Sequence, residues 1–258
     1  MKILLHSSKT MKPEQSSVHR LTMPQFVSQA AYLNRALQKM DTDALAHVMG
    51  INKTLASAVK NKIDNWNNNQ NGSAAALTFR GDIYSGLAAA AWNKSDTVFA
   101  QNNLLILSGL YGLLRPFDEI KPYRLEMGYQ LELDNQRLDK FWETQLAHAL
   151  DAHDSYINLT ANEYFKVIKG QLSASNVISP KFLTVSKKTN LPVFVTVHAK
   201  IARGSFASWL ITNKIDHVDQ ITGYNKLNYT YDKILSTKNE PVFVCHEFGG
   251  LGMSVRLK

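Results

Sequence analysis

Three residues able to do acid–base or nucleophilic work stand beside apolar runs: Lys9 after Lys2–His6, Asp82 in Arg80-Gly81-Asp82, and Glu126 in Pro122-Tyr123-Arg124-Leu125-Glu126-Met127-Gly128. An amine can attack an electrophilic carbon or hold a phosphate, and a carboxyl can pass the proton. Lys9, Asp82 and Glu126 are therefore candidate catalytic groups for chemistry on a nucleobase or nucleotide. Arg115, Arg124, Lys200 and Arg203 are cations suited to a polyanion, and Lys200 and Arg203 fall where a strand hands over to a helix. Each has a plainer reading. Lys9 taken alone reads first as a solvated loop lysine, and the charges of residues 198–204 suit a solvated helix start equally well.

A second candidate is the stretch of residues 45–59, where Leu45 and Val48 lead into Met49-Gly50-Ile51-Asn52-Lys53-Thr54-Leu55-Ala56. It resembles the helix-hairpin-helix motif of DNA glycosylases and polymerases. A tight glycine turn feeds a helix start, whose free N–H groups and positive dipole end accept a DNA phosphate without reading sequence. Gly50, Asn52, Lys53 and Thr54 would carry that contact. Met49 replaces the motif's proline and Asn52 its second glycine, a change that asparagine's tolerance of left-handed backbone accommodates. The alternative is an ordinary helix turn closed by a glycine.

These residues need a frame. Residues 104–107 form an apolar run of strand length, ended by Ser108-Gly109, with Gly112 soon after. Arg115-Pro116 and Lys121-Pro122 each oppose helix, so the segment up to Tyr123 is expected to be a structured loop bearing charges. Lys2–His6 reads as a first buried strand, and residues 11–20 as polar and extended. Helices are expected from Thr22-Met23-Pro24 onward, from an Asp41 cap to Met49, and through Leu55, Ala56, Val59 and Ile63 on one apolar face. Asn65-Trp-Asn-Asn-Asn-Gln-Asn-Gly72 closes this lobe, about residues 22–72, as a loop. Residues 73–103 read as helical but broken at Arg80-Gly81-Asp82, with Ser95 or Asp96 capping the last helix. Asp139 is expected to cap a helix carrying Phe141 and Trp142. Strands are expected at residues 156–159, 177–178, 182–185, 193–197, 229–235 and 242–245, with helices from Asn162 and over residues 202–215. The sum is an α/β (mixed α+β) chain: one domain over residues 1–258 with a mixed central sheet, surrounding helices and the hairpin lobe.

Composition narrows the function further. Twenty-nine Lys and Arg against 21 Asp and Glu give a net charge of +8, which favours a polyanionic partner such as nucleic acid or phosphorylated small molecules. One cysteine, Cys245, excludes an intrachain disulfide and cysteine-based clusters. The eight histidines show no ligand-spaced pair, so no metal ligand and no cofactor is assigned. Asn52-Lys53-Thr54 lacks the glycines of a phosphate-binding P-loop, and Gly249-Gly250-Leu251-Gly252 leaves no room for the helix of a dinucleotide fold. The first apolar run is too short for a signal peptide and none reaches the ~18 residues of a membrane span, so a soluble cytoplasmic protein is expected.

Longer motifs carry a resemblance to the bacterial peroxide-stress protein YaaA family. They are Lys9-Thr10, Gly81-Asp82-Ile83-Tyr84-Ser85-Gly86-Leu87, Leu107-Ser108-Gly109-Leu110-Tyr111-Gly112-Leu113-Leu114-Arg115-Pro116 and Pro122-Tyr123-Arg124-Leu125-Glu126-Met127-Gly128. Phe141-Trp142, Ile157-Asn158-Leu159, Glu163-Tyr164-Phe165, Ala202-Arg203-Gly204 and Gly223-Tyr224-Asn225 continue them to about residue 235. Departures are His6-Ser7-Ser8 where the family has Ser-Pro-Ala, Ile201 where it has a second lysine, and the ending after residue 241. The resemblance implies a cytosolic protein induced by hydrogen peroxide that limits free iron and hydroxyl-radical damage to DNA. It also implies a helix-hairpin-helix element beside a basic cleft, and binding to double-stranded DNA without sequence preference. An enzyme acting on a nucleobase or nucleotide, glycosylase- or lyase-like, at the same cleft is the alternative.

Overall fold

The computed structural model describes residues 1–13, 20–67 and 72–250. Its central sheet is built on β1 (Lys2–His6), whose Ile3, Leu4 and Leu5 are fully buried. β1 lies between β2 (Leu104–Ser108) and β4 (Tyr156–Asn158), parallel to both, and β5 (Val177–Ile178) extends the parallel set beyond β4. Strands buried on both faces read as continuous apolar runs, which is why Ile3-Leu4-Leu5 and Leu104-Leu105-Ile106-Leu107 were legible. β3 (Gly112–Leu114) folds back antiparallel on β2, making the sheet mixed as expected.

The later strands do not close this sheet. β6 (Lys181–Val185), β7 (Pro192–Val193), β8 (Thr230–Asp232) and β9 (Val242–Cys245) form a second, four-stranded sheet in the order β7-β6-β9-β8. Phe182, Phe206, Tyr224, Tyr229 and Phe243 pack against one another with ring centroids 4.9–6.0 Å apart. That aromatic cluster, mostly edge-to-face, is the core of this half.

The main helices are α1 (Val27–Gln38), α2 (Thr42–Met49), α3 (Lys53–Asp64), α4 (Asp82–Leu87), α5 (Lys94–Asn103), α6 (Leu138–Leu146), α7 (Asn162–Ile168) and α8 (Thr196–Thr212). Several boundaries differ from the sequence reading, each for a tertiary reason. Thr22 is not a helix cap: its hydroxyl donates to Asp118 Oδ1 at 2.6 Å and its backbone bridges to Asp118, so α1 begins only at Val27. Asn93, not Ser95 or Asp96, caps α5, and Asp96 completes the capping box from its third position. Asp139 sits inside the first turn of α6 and pairs with Arg137 and Lys166. Residues 193–197 are strand only at Val193, because Thr196 and Val197 already belong to α8. Leu55 faces solvent, although Ala56, Val59 and Ile63 are buried as expected. Residues 73–103 also contain Phe79–Arg80, paired with Thr10–Met11, and Ser73–Ala74, paired with Glu119–Ile120. The asparagine-rich loop is described only at its ends, and the final eight residues and most of the polar stretch after Pro13 lie outside the described residues.

α4 and α8 cross at van der Waals contact through paired glycines. A Cβ on Gly204 would stand 1.8 Å from the Ile83 carbonyl oxygen, and one on Gly86 would stand 2.1 Å from that of Ile201. No side chain fits between the backbones there, so Gly86 in Asp82-Ile-Tyr-Ser-Gly86 and Gly204 in Ala202-Arg-Gly204 bring Asp82 and Lys200 to one side of the molecule.

Candidate functional site

The parallel strands end together, and the chain leaving each of them lines one opening. β1 runs out through His6 into Ser7, Ser8 and Lys9, and β4 runs out to Ala161 at the start of α7. In sheets of this kind the carboxyl ends of the strands are where ligands bind. A cavity of 260 Å³ lies there, lined by His6, Ser7, Ser8, Lys9, Arg80, Gly81, Asp82, Ile83, Tyr84, Glu126, Ala161, Glu163 and Lys200. Lys9, Asp82 and Glu126, the three catalytic candidates, thus share one cavity, and Lys200 joins them.

Glu126 reaches the floor because its loop is pressed onto the turn after β2. A Cβ on Gly109 would stand 2.1 Å from the Leu125 carbonyl oxygen. The Trp142 indole N–H donates to the Gly109 carbonyl at 2.8 Å, and Ser108 Oγ lies 2.7 Å from the Tyr123 hydroxyl. Glu126 is only 4% exposed, and the Tyr164 hydroxyl donates to its Oε2 at 2.7 Å. Ser7 Oγ lies 3.1 Å from the same hydroxyl, so Glu126, Tyr164 and Ser7 form a buried hydrogen-bonded row. Burial raises the Glu126 pKa above the usual carboxylate range; the Tyr164 hydrogen bond and the Lys9 and Arg124 charges oppose the rise, and Glu163 adds to it.

His6 is the counterpart of Glu126. Its ring lies against Tyr164 with centroids 4.9 Å apart, and its Nδ1 accepts the Ala161 backbone N–H at 3.2 Å. Burial first, then the charges of Arg203 and Lys200, depress its pKa to about 3, so the ring is neutral. A neutral imidazole whose Nδ1 accepts must carry its proton on Nε2. Burial also holds the Tyr84 and Tyr164 hydroxyls well above the ordinary phenol range. Tyr84 donates to the His6 carbonyl at 3.0 Å, which fixes the end of β1 to α4.

The other expected site residues divide. Arg203 is near enough to act on His6, and Arg124 near enough to act on Glu126, but neither lines the cavity. Arg124 lines a separate hollow under the helical lobe with Asn34, Leu37, Ile63 and Trp66. Arg115 is elsewhere. Its guanidinium pairs with the buried Asp118 at 3.1 Å and donates to the Met23 carbonyl, so it ties the loop to the start of α1. The expected basic cleft is mixed in sign: Lys9, Arg80 and Lys200 line it together with Asp82, Glu126 and Glu163.

The turn between α2 and α3 matches the sequence reading at Gly50 but not at Asn52, whose backbone is extended (φ −72°, ψ 160°) and not left-handed. Asp41 caps α2, accepting from the Ala44 N–H at 2.8 Å. Gly50 ends α2 with φ +60°, a left-handed conformation that costs glycine nothing, and Asn52 caps α3 by accepting from the Leu55 N–H at 2.9 Å. Thr54 begins the helix beside Lys53, whose ammonium pairs with Asp43 at 2.9 Å, both side chains being largely exposed.

His6, Ser7, Tyr84, Glu163, Tyr164 and Arg80 were not singled out from the sequence as site residues. The signal was present in part, since Tyr84, Glu163 and Tyr164 fall inside the motifs quoted above. Among the described residues no group of three or more His, Cys, Asp or Glu is placed to hold a metal ion, and no helix is long and apolar enough to cross a membrane.

A family model described as peroxide stress protein YaaA matches residues 1–235. The chain belongs to that family. A protein of Salinispora tropica named "UPF0246 protein" is 40% identical over 99% of this chain and 98% of its own length. Another of the same name from Crocosphaera subtropica is 33% identical over 95% of this chain and the whole of the relative. The family name gives the coarse function, a role in the response to peroxide stress. The match ends near residue 235, so β9 and the tail, where the sequence departs from the family pattern, lie beyond it.

Proposed function

We propose that this peroxide-stress protein acts in the cytoplasm by binding DNA at two places. The α2–α3 turn presents a helix start to a phosphate, and Lys9 and Lys200 at the rim of the strand-end cavity hold the backbone nearby. The part it plays in limiting free iron and hydroxyl-radical damage belongs to the same reading. The observation that carries it is the cavity itself: the exposed Lys9 and Lys200, from opposite halves of the sequence, meet at one mouth. Lys53 and Thr54 add a second contact that reads no sequence. Each phosphate neutralised by a lysine releases counterions, so affinity for a duplex should fall steeply with salt. Fluorescence anisotropy with a labelled duplex tests this across a salt series. Lys9→Ala with Lys200→Ala should weaken binding to all sequences alike and reduce the slope of log K against log salt by about 2. No binding, or binding without salt dependence, refutes the reading.

A second reading is an enzyme acting on a nucleobase or nucleotide in the same cavity. It is favoured by one specific observation, a buried carboxyl of raised proton affinity, Glu126, sharing the cavity with the Lys9 amine. A carboxyl poised to give or take a proton beside an amine is the pairing that base excision requires. Borohydride added to protein and damaged-base oligonucleotides would trap a Lys9 adduct. Absence of an adduct across a panel of lesions removes the amine-nucleophile form of this reading.

A further inference from the structure

Two groups at the cavity floor are unspent. His6 Nδ1 is taken by the Ala161 N–H, which leaves the Nε2–H pointing elsewhere, and that atom has no partner among the described residues. Glu126 Oε2 is taken by the Tyr164 hydroxyl, and Oε1 has no partner among the described residues although the residue is only 4% exposed. Neither is among the polar atoms that are wholly enclosed and unbonded, so both reach open space, and both residues line the cavity. The Tyr164 side chain joins them, its ring against His6 and its hydroxyl on Glu126. A donor, the His6 Nε2–H, and an acceptor, the free oxygen of Glu126, thus belong to one cavity wall, linked through Tyr164.

A donor and an acceptor offered by one polar hollow select a ligand by pattern. A phosphodiester or a carboxylate offers only acceptors, and Glu126 repels them from the floor. The Watson–Crick edges of the nucleobases do offer an acceptor beside a donor: a ring carbonyl beside a ring N–H, or a ring nitrogen beside an amino group. The hollow of 260 Å³ lies just below the ~300 Å³ at which drug-sized sites begin, so it suits one base with its sugar–phosphate left at the rim.

We propose that the cavity floor is a base-reading subsite, in which the His6 Nε2–H donates to the acceptor and the Glu126 carboxylate accepts from the donor on the Watson–Crick edge of a single unpaired base. This rests on the DNA-binding reading and extends it, because that edge is occupied in a duplex. The preferred ligand is therefore nucleic acid with a base out of the stack: a bulge, a mismatch, a lesion or a single strand. Lys9 and Lys200 at the mouth are placed to hold the phosphates flanking that nucleotide.

The test uses the full-length protein and three labelled oligonucleotides in anisotropy titrations at one salt concentration. They are a fully paired duplex, the same duplex with one bulged thymidine, and that duplex with the bulged thymidine methylated at N3. The bulge should bind at least tenfold more tightly than the paired duplex, and N3-methylation should abolish the gain, since it replaces the N–H that Glu126 accepts. His6→Phe should bring the ratio of bulged to paired affinity to one, and His6→Asn, which keeps an N–H donor, should retain part of it. Equal affinity for paired and bulged duplex, with both bound, overturns the subsite and leaves the DNA-binding reading standing. A preference for the bulge that survives N3-methylation also overturns it, in the wild-type protein and without reliance on a variant that folds poorly. Failure to bind any of the three removes the DNA-binding reading and the subsite with it.

Discussion

Acid should loosen this fold through His6, and the size of the effect follows from the structure. In an unfolded chain the imidazole titrates near ~6.5, whereas in the fold burial, Arg203 and Lys200 depress its pKa to about 3. The folded pKa is the lower one, so as pH falls below about 6.5 the unfolded chain takes up a proton that the folded chain refuses. Stability is then lost progressively, until the folded histidine also protonates near 3. Each pH unit in that window costs at most ~1.4 kcal/mol, so a drop to about pH 4.5 would cost ~2.7 kcal/mol at full effect. His6 is half-buried as a residue, and solvent screening reduces this to roughly 1–2 kcal/mol. The assay is urea denaturation of the wild type and of His6→Asn at about pH 7 and about pH 4.5. Carboxylate contributions are common to both proteins and cancel in the double difference. The wild type should lose roughly 1–2 kcal/mol more than the variant. Equal losses, or a larger loss in the variant, would refute the assignment of a buried neutral histidine at the head of the cleft.

Other consequences follow from single contacts. Gly204→Ala places a methyl 1.8 Å from the Ile83 carbonyl oxygen, so α4 and α8 must separate. A cost of roughly 1–3 kcal/mol, seen as a fall of several degrees in thermal midpoint, is expected, and an unchanged midpoint would contradict the close crossing. Asn52→Ala removes the cap of α3 and should cost ~1 kcal/mol in urea denaturation, whereas Asn52→Asp should cost little. Tyr164→Phe deletes the hydroxyl joining Ser7 and Glu126 and should raise the Glu126 pKa further, because that hydrogen bond lowers it. A carboxyl carbon shift followed by NMR titration in the two proteins checks the direction, and a lowered midpoint would exclude the contact. Glu126→Gln should flatten the pH dependence in the opposite sense to His6→Asn. The raised folded pKa of Glu126 means that its stability contribution is present below the unfolded value and is lost as pH rises through the folded one. Urea midpoints across pH 4–8 read this, and a variant that still declines over the same range would contradict it.

What could be read from the chain beforehand divides by range. Local chemistry was legible in part: Asp41 announces a cap and Gly50 a left-handed stop, and both have that form, whereas Asn52 reads as a site of left-handed backbone and instead caps α3 from an extended conformation. The apolar runs of β1 and β2 were legible because a strand covered on both faces shows no alternation. Contacts made across the chain were not. Thr22 looks like a helix cap until Asp118, 96 residues away, takes its hydroxyl. Arg115 looks like a ligand for a phosphate until the same aspartate, buried in the loop, holds it. Residues 193–197 carry three valines and a phenylalanine and read as strand, yet Thr196 opens α8, because packing against α4 overrides the preference of β-branched residues. His6 was read as the end of a buried strand and nothing more. Its role depends on Ala161, Lys200 and Arg203, none of which is near it in sequence. Glu126 was singled out by its motif, while its depth and its Tyr164 partner could come only from the fold.

The most direct measurement of the central proposal is a lysine footprint. The protein is reductively methylated with and without a saturating, sequence-neutral duplex, and each lysine is quantified by mass spectrometry. Lys9 and Lys200 at the cavity mouth, and Lys53 at the start of α3, should be protected. Lys140 on α6 and Lys181 at the start of β6, which pair with Glu143 and Glu240, should react equally in both samples. Protection confined to Lys140, Lys181 or other lysines away from the cavity, with Lys9 and Lys200 unprotected, would contradict the proposal.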